Sequence, residues 1–318
     1  MNTKNVTAIF IIFAYYILVI GNLSAQESSG NISGKVYFEY FVPDDLTGDV
    51  EQFRFKRYYF AYDKKISDDF DVRYLLDADR ADDGKARPFL KHAYVSWANL
   101  VPDAKIYIGM QPTPNWWVSE KYWGYRSIEK TIQDLNKLGA SADLGIGLRG
   151  KFSDKQGYHI TYMNGTSNSK PENDDFKKLS GMYWYKPQEK FIGTVYLARE
   201  RTTSEFTNLT FTIFGGYESE ILRTGIEYFY HNNGGIKEFN VTGISFFGTY
   251  KLEKGNIYGR YDISDPNDTI ASNNETYLIL GYDYEADANF HIMPNIRILG
   301  KDDKDSVKEF HINVEFKF

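Results

Sequence analysis

The chain has 318 residues, with 37 basic and 43 acidic side chains and no cysteine, and its formal net charge at pH 7 is −6. The lack of cysteine excludes a disulfide scaffold and a thiolate metal site, and mild acidity without a basic block argues against a nucleic-acid-binding protein. Aromatic residues make up 17% of a chain whose mean hydropathy is only −0.48, which argues against disorder and favours β-structure.

The N-terminal segment, residues 1–25, has the composition of a secretory signal peptide. It carries one positive charge at Lys4, continues with an apolar run over 6–20, and ends with the small residue Ala25. We therefore predict cleavage after Ala25, which leaves residues 26–318 as a single exported domain. The alternative is a retained signal anchor, although this run is short for a membrane-spanning helix and no later run reaches the roughly 18 apolar residues that such a helix requires.

Alternation of apolar and polar side chains with a period of two dominates the rest of the chain and predicts β-strands throughout. We predict about sixteen strands, near 35–40, 57–63, 70–77, 92–97, 105–111, 144–152, 157–165, 178–187, 190–201, 207–218, 222–230, 238–252, 257–263, 276–285, 290–298 and 309–318. The last strand is the clearest, because apolar residues occupy every second position from Phe310 to Phe318 and polar residues lie between them.

The connections between these segments alternate in length. Short turns lie at one end of the predicted strands, where both termini also lie, and mostly longer loops lie at the other, an asymmetry typical of a transmembrane antiparallel β-barrel. A soluble sandwich alternates in the same way, but these segments are longer than the roughly five or six residues that soluble strands average. Aromatic residues beside the short turns, such as Trp97 and Tyr250, are typical of an interfacial girdle. We therefore predict an all-β transmembrane barrel.

Four motifs in the first half of the chain carry a family resemblance. They are Phe55-Lys56-Arg57-Tyr58-Tyr59-Phe60, Phe89-Leu90-Lys91-His92-Ala93-Tyr94-Val95-Ser96-Trp97, Gly109-Met110-Gln111-Pro112-Thr113-Pro114 and Trp123-Gly124-Tyr125-Arg126-Ser127-Ile128-Glu129-Lys130. With these motifs and the terminal Phe318, the chain resembles the outer-membrane porins of the phosphate-selective O/P-like group, including porins of Bacteroidota. The resemblance implies a passive channel with an in-folded third loop, a Phe318 that the outer-membrane assembly machinery reads, and a homotrimer. It does not extend to phosphate selectivity, because dedicated phosphate channels line the pore with an arginine and lysine ladder, whereas the lumen predicted here mixes both signs of charge.

The third long loop, residues 112–141, is the most informative segment for function. It contains three of the five tryptophans, and apolar residues recur at helical spacing over 128–138, after the candidate N-cap Ser127. We expect this loop to fold into the lumen with a short helix, with Lys121 and Arg126 setting the narrowest cross-section. The expected constriction residues are Trp116, Trp117, Glu120, Lys121, Trp123, Arg126, Glu129 and Lys130. The alternative is a folded external cap that leaves the pore open.

Charged side chains occupy strand positions that alternate with the outward apolar ones, so we predict that they line the lumen. The basic ones are Arg57, Arg73, His92, Lys105, Arg149, Arg223, Arg260 and Arg297. The acidic ones are Glu39, Asp71, Asp77, Glu227, Asp262 and Glu309. Rings of charge tune ion selectivity in pores, although the alternative is that opposite charges merely pair with each other in a wet interior.

These observations predict a water-filled channel for passive diffusion of small hydrophilic solutes or ions, because about sixteen strands leave an aqueous interior. The expected partners are membrane lipid, the outer-membrane assembly machinery and the diffusing solutes, with no nucleic acid, cofactor or metal. We expect no enzyme, because the five histidines lack metal-site spacing and no Gly-x-Ser-x-Gly motif occurs. Two alternatives stay open: a plugged barrel that serves as a surface adhesin or binding scaffold, and a lipid-acting barrel enzyme with a scattered Ser/His pair.

Overall fold

The computed structural model of the protein describes residues 30–80, 84–172 and 174–318. Over these ranges, sixteen antiparallel strands form one closed barrel, in which each strand pairs with its neighbours in sequence and the first, β1 (Asn31–Val42), pairs with the last, β16 (Val307–Lys317). The predicted all-β antiparallel barrel of about sixteen strands is therefore confirmed. The signal peptide predicted for residues 1–25 lies outside the described residues.

The strands between these two follow one another along the chain. They are β2 (Gln52–Lys65), β3 (Phe70–Arg80), β4 (Ala86–Trp97), β5 (Ala104–Pro112), β6 (Ala142–Ser153), β7 (Gln156–Met163), β8 (Lys178–Tyr185), β9 (Phe191–Arg201), β10 (Thr207–Glu218), β11 (Leu222–Asn233), β12 (Phe239–Leu252), β13 (Gly255–Asp265), β14 (Glu275–Asp287) and β15 (Phe290–Lys301). Two short helices, α1 (Trp117–Trp123) and α2 (Ile132–Leu135), lie between β5 and β6. No helix in the described part of the chain has the length and apolar character needed to cross a membrane.

The two ends of the barrel differ in their connections. At the turn end, strands are joined by short turns such as 154–155 and 253–254, and β1 begins and β16 ends there. At the loop end, the connections are mostly longer, and the longest, 113–141, joins β5 to β6. The alternation of short and long connections is the one predicted from the sequence.

Apolar side chains face out of the barrel, and polar side chains face into it. In β16, the outward Phe310 and Phe316 are 39% and 42% exposed, whereas the inward His311 and Asn313 are 2% and 0% exposed. A protein surrounded by water shows the reverse arrangement, because removing apolar side chains from water is what stabilises it. The distribution is therefore that of a barrel with an outer wall suited to an apolar medium and a polar interior.

Two β-bulges break the alternation in the first strands. The register of β2 against β1 leaves Lys56 as an extra residue, and the register of β4 against β3 does the same for Lys91. A bulge bends its strand and re-aims the side chains beside it. Lys56 therefore faces the interior together with Arg57, and Lys91 faces it together with His92. Strict alternation would have directed both lysines outward.

Candidate functional site in the barrel lumen

The connection between β5 and β6, residues 113–141, folds into the barrel and is here named the inner loop. Two hydrogen bonds close its neck. The N–H of Thr113 donates to the carbonyl oxygen of Ser141 at 3.1 Å, and the hydroxyl of Thr113 donates to the carbonyl oxygen of Ala140 at 2.5 Å. From this neck, α1 lies against β10 and β11, and α2 lies against β12. The structure therefore places the third long loop inside the barrel, as the sequence predicts.

A cluster of apolar side chains holds the inner loop against one side of the wall. Trp123, the last residue of α1, is fully buried, and its ring centroid lies 5.8 Å from that of Phe247 and 6.2 Å from that of Tyr258. Ile128 and Ile132 are buried as well. Burial of such large side chains is the main stabilising term in a contact of this kind. The loop thus occupies the side of the lumen formed by β10–β15, and space remains beside β1–β4, β6 and β7.

Four consecutive backbone carbonyls of the inner loop accept hydrogen bonds from side chains. The pairs are Ser127 O with Asn313 Nδ2 at 3.2 Å, Ile128 O with Lys56 Nζ at 3.0 Å and Arg297 Nη2 at 3.2 Å, Glu129 O with Trp123 Nε1 at 3.0 Å, and Lys130 O with Arg260 Nη1. These side chains compete with the backbone bonds that a helix requires. The helix expected over 128–138 is for this reason reduced to α2, and Ser127, contrary to expectation, caps no helix.

Glu129 ties the centre of the inner loop to the wall electrostatically. Its Oε2 lies 3.2 Å from Nη1 of Arg297 and accepts a hydrogen bond from the hydroxyl of Tyr277 at 3.0 Å. Burial by itself would raise the pKa of this carboxyl, but the positive charges of Arg297 and Lys56 outweigh burial and hold the pKa below its ordinary value. Glu129 is therefore an anchor that stays ionised at neutral pH.

Arg126 and Lys121, the residues expected to set the narrowest cross-section, lie in different places. The guanidinium of Arg126 is paired with Glu120 at 3.3 Å and with Asp134, so it braces α1 against the segment of α2. Lys121 is exposed on another side of α1 and faces the turn end. The structure does not bring these two cations together, although both border open space inside the barrel.

The eight basic residues expected to line the lumen all point into the barrel, but they make different contacts. Three pair with carboxylates of the wall: Arg57 with Asp77 at 3.5 Å, Arg73 with Asp63 at 2.6 Å, and Lys105 with Asp71 at 2.7 Å. Four contact the inner loop: Arg149 at Trp117, Arg223 at Gly124, Arg260 at Lys130, and Arg297 at Glu129. Two of these four also pair with wall carboxylates, Arg260 with Asp262 and Arg297 with Glu39. The eighth, His92, is buried beside Tyr94. Arg260 and Arg297 are only 3% and 4% exposed, so they hold the loop in place.

A cavity of about 780 Å³, named the lumen cavity, lies between the inner loop and the wall formed by β1–β4, β6 and β7. Its charged lining residues are Lys35, Arg73, Lys91, Arg126, Arg149 and Lys317 against the single acidic residue Glu120. A second space of about 870 Å³, the turn-side cavity, shares Trp117 and Arg149 with the first. The charged residues that line the lumen cavity are therefore mostly cations, although the whole chain has a formal net charge of −6.

One group of potential metal ligands that the sequence did not indicate forms near the turn end. Asp283 and Glu285 on β14 meet His291 on β15, with ligand atoms that all lie within 4.8 Å of one another. Their proximity depends on the β14–β15 register, which pairs Glu285 with His291. His291 is hydrogen-bonded to Asp283 at 2.9 Å, and the amide of Asn256 donates to both carboxylates. Because these groups satisfy one another, we assign no metal to them.

Phe318, the expected assembly signal, lies at the turn end of the barrel. Its backbone exchanges two hydrogen bonds with Gly34, of 2.9 and 3.1 Å, and its ring stacks on that of Phe316 at 6.4 Å. The side chain is 49% exposed. The terminal ring is therefore half-exposed at this end of the barrel.

No protein-family model and no curated protein sequence matches the chain. Solved structures match it over nearly its whole length. Outer-membrane expressed OmpT of Vibrio cholerae has a TM-score of 0.69 at 14% identity, covering 93% of this chain and 100% of that one. The anion-selective porin from Comamonas acidovorans has a TM-score of 0.69 at 13% identity, with coverages of 92% and 100%. The outer membrane channel DcaP of Acinetobacter baumannii has a TM-score of 0.64 at 12% identity, with coverages of 91% and 97%. The chain has the porin fold.

Proposed function

We propose that the protein is a porin of a bacterial outer membrane, through which small hydrophilic solutes and ions diffuse passively. The observation that carries this proposal is the lumen cavity, a charged space beside the inner loop within a barrel whose outer face is apolar. An apolar outer wall suits lipid, and a charged interior suits water. The fold shared with an anion-selective porin and with an outer membrane channel supports the same assignment.

We propose further that the inner loop constricts the passage and that the passage weakly favours anions. Arg73, Lys91 and Arg126 border the lumen cavity, but each has a carboxylate partner that offsets much of its field. Arg149 has no such partner among the described residues. Because the charge on a pore wall tunes its ion selectivity, we expect a modest preference rather than the strong one of a dedicated phosphate channel.

We propose that the protein belongs to the family of phosphate-selective O/P-like porins, and we do not extend this proposal to their selectivity for phosphate. Two of the motifs that carry it, residues 55–60 and 89–97, contain the bulges that turn Lys56 and Lys91 inward. These motifs therefore specify how the wall is built. We propose that residues 1–25 direct export and are removed near Ala25, that the assembly machinery recognises Phe318, and that the mature barrel is a homotrimer.

Planar-bilayer recording of the refolded chain 26–318 tests the channel directly. We expect steady single-channel conductance and, in a KCl gradient, a reversal potential of the sign given by chloride preference. A reversal potential of the opposite sign would refute the anion preference and leave the channel intact. A folded barrel that never conducts would refute the channel itself.

A plugged barrel that acts as a surface adhesin or binding scaffold is the second candidate, because the apolar cluster of the inner loop fills the lumen beside β10–β15. Liposome swelling in sugars of graded size separates the two functions. Swelling that slows as the sugar grows supports the channel, and no swelling with the smallest sugar supports the scaffold. For the third candidate, a lipid-acting enzyme, we expect no lipase activity from the refolded barrel in detergent.

A further inference from the structure

Arg149 on β6 differs from the other arginines that face the lumen cavity, Arg73 and Arg126, which are paired with carboxylates. Its guanidinium stacks on the indole of Trp117, with the Cζ atom 3.8 Å from the ring centroid. Within the described ranges, no carboxylate or carbonyl group pairs with it, whereas Arg73 and Lys91 are bound to Asp63 and Asp77. A stacked guanidinium keeps the N–H donors along its edge available, since stacking uses only its face. Arg149 therefore offers a free, oriented anion-binding edge inside the barrel.

The wall around Arg149 is aromatic. Tyr94 and Tyr107 lie within electrostatic range of its guanidinium, and their ring centroids are 5.4 Å apart. Histidines continue the row on either side, with His92 6.1 Å from Tyr94 and His159 6.4 Å from Tyr107. The Nδ1 of His92 and the Nε2 of His159 are buried without a hydrogen-bond partner in the described part of the chain. Buried nitrogens without a hydrogen-bond partner are uncommon in folded proteins. Two of them here mean that this wall has hydrogen-bonding groups that the described residues do not satisfy.

Arg149 and Trp117 also lie where solutes would pass. Both residues border the lumen cavity and the turn-side cavity, so the stacked pair lies where the two spaces meet. The volume of the lumen cavity, about 780 Å³, falls in the range of sites that hold small organic molecules. A solute that moves from one cavity to the other would therefore meet the edge of Arg149 and the rings of Tyr94 and Tyr107.

We infer that these residues form a subsite that retains a planar organic carboxylate during passage. The edge of the Arg149 guanidinium would bind the carboxylate through two parallel hydrogen bonds, and the flat apolar body would lie against Tyr94 and Tyr107. A free inorganic anion would use the guanidinium and leave the aromatic wall without a partner, so the geometry favours the aromatic acid. This inference rests on the proposed channel function, because it concerns the solute that the channel carries.

Binding to the refolded chain 26–318 in detergent tests the subsite without requiring conduction. The probes are benzoate, benzamide with the same ring and no charge, acetate with the same charge and no ring, and inorganic phosphate, each titrated by calorimetry. We expect benzoate to bind most tightly, and we expect each of the other three probes to bind at least about tenfold more weakly than benzoate. Phosphate or acetate binding as tightly as benzoate would overturn the inference, because it would show a site that recognises charge alone.

Three arginine variants locate the subsite. Arg149→Gln should weaken benzoate binding about tenfold or more, as expected for loss of a charged hydrogen-bond donor. Arg199→Gln is the matched control, because Arg199 is exposed on the outer side of β9 and should leave binding unchanged. Arg149→Lys, which keeps the charge and loses the planar edge, should give intermediate affinity, and it serves as the test if the glutamine variant does not fold. Equal affinity in all variants would place benzoate elsewhere and refute the subsite.

Recording in planar bilayers separates this inference from the proposed function. We expect benzoate to cause brief closures of the wild-type channel that are lost in Arg149→Gln. Arg149-dependent benzoate binding in a barrel that never conducts would refute the channel and leave a binding site. A conducting channel with no Arg149-dependent binding would refute the subsite and leave the channel.

Discussion

The guanidinium of Arg297 on β15 lies 3.2 Å from the carboxylate of Glu129, so the midpoint of the inner loop is joined to the wall by a largely buried ion pair. Arg297 also donates a hydrogen bond to the carbonyl oxygen of Ile128 at 3.2 Å. One wall side chain therefore holds both the charge and the backbone of the loop. Its loss would leave a carboxylate and a carbonyl group without this partner.

We expect Arg297→Gln to lower the free energy of unfolding by about 2–3 kcal/mol, since breaking a fully buried pair costs about 3–5 kcal/mol and Glu129 is partly solvated. Lys301→Gln is the matched control on the same strand. Lys301 pairs with Glu275 at 2.8 Å, but both side chains are more than 40% exposed, so its loss should cost less than about 1 kcal/mol. Denaturant unfolding in detergent measures both variants, and equal losses would contradict the anchoring role of Arg297.

Acidification should weaken the same anchor. Burial opposes ionisation of Glu129, but Arg297 and Lys56 prevail and keep its pKa below the ordinary value, which is about 4.3. A carboxyl with a lowered pKa stabilises the folded state fully above its ordinary value and loses that contribution as pH falls through the lowered one. The stability advantage of wild type over Glu129→Gln should therefore be constant above about pH 5 and shrink below about pH 4. The measurement is the unfolding midpoint of both proteins across this pH range. A difference between the two midpoints that does not change with pH would contradict the anchoring role of ionised Glu129.

Removing the inner loop should widen the passage. Because Thr113 and Ser141 already meet at the neck, residues 116–138 can be replaced by a short Gly/Ser linker without displacing β5 or β6. We expect single-channel conductance to rise several-fold, since α1 and α2 occupy one side of the lumen. Resistance to unfolding in SDS at room temperature checks that the barrel has formed. An unchanged conductance in such a barrel would refute the constriction role.

The bulge residue Lys91 should contribute to ion selectivity. Lys91→Gln removes a cation from the wall of the lumen cavity, while Asp77 keeps its contact with Arg57. We expect the reversal potential in a KCl gradient to move by several millivolts toward cation preference. Lys190→Gln, in an exposed turn at the turn end, should move it less. A shift of equal size in both variants would show that the total charge of the protein, and not that of the lumen wall, sets the preference.

The strands could be predicted because alternation is a local property of the chain. The pattern from Phe310 to Phe318 identifies β16 and its two faces without knowledge of its neighbours. Bulges could not be predicted in this way, since Lys56 and Lys91 are displaced by the register against another strand. Parity therefore identified Arg57 and His92 as inward residues and missed the lysines beside them.

In the inner loop too, some features could be predicted from the local sequence, whereas others depend on contacts with distant strands. Its length and its tryptophans indicated that it folds inward, but α1 was not predicted. This helix begins after Trp116, which adopts a left-handed conformation with φ of 34° and makes no side-chain cap, so the usual N-terminal signal is missing. The helix expected after Ser127 is largely replaced by irregular backbone because side chains from distant strands bind its carbonyls. No local pattern contains those partners.

The seat of the inner loop is built from both ends of the chain. Lys56 in β2 and Asn313 in β16 bind adjacent carbonyls of the loop, and their strands come to lie on either side of β1 only when β1 joins β16. This part of the seat therefore does not exist until the last strand has met the first. We expect the inner loop to be fully docked only after the ring of strands has closed.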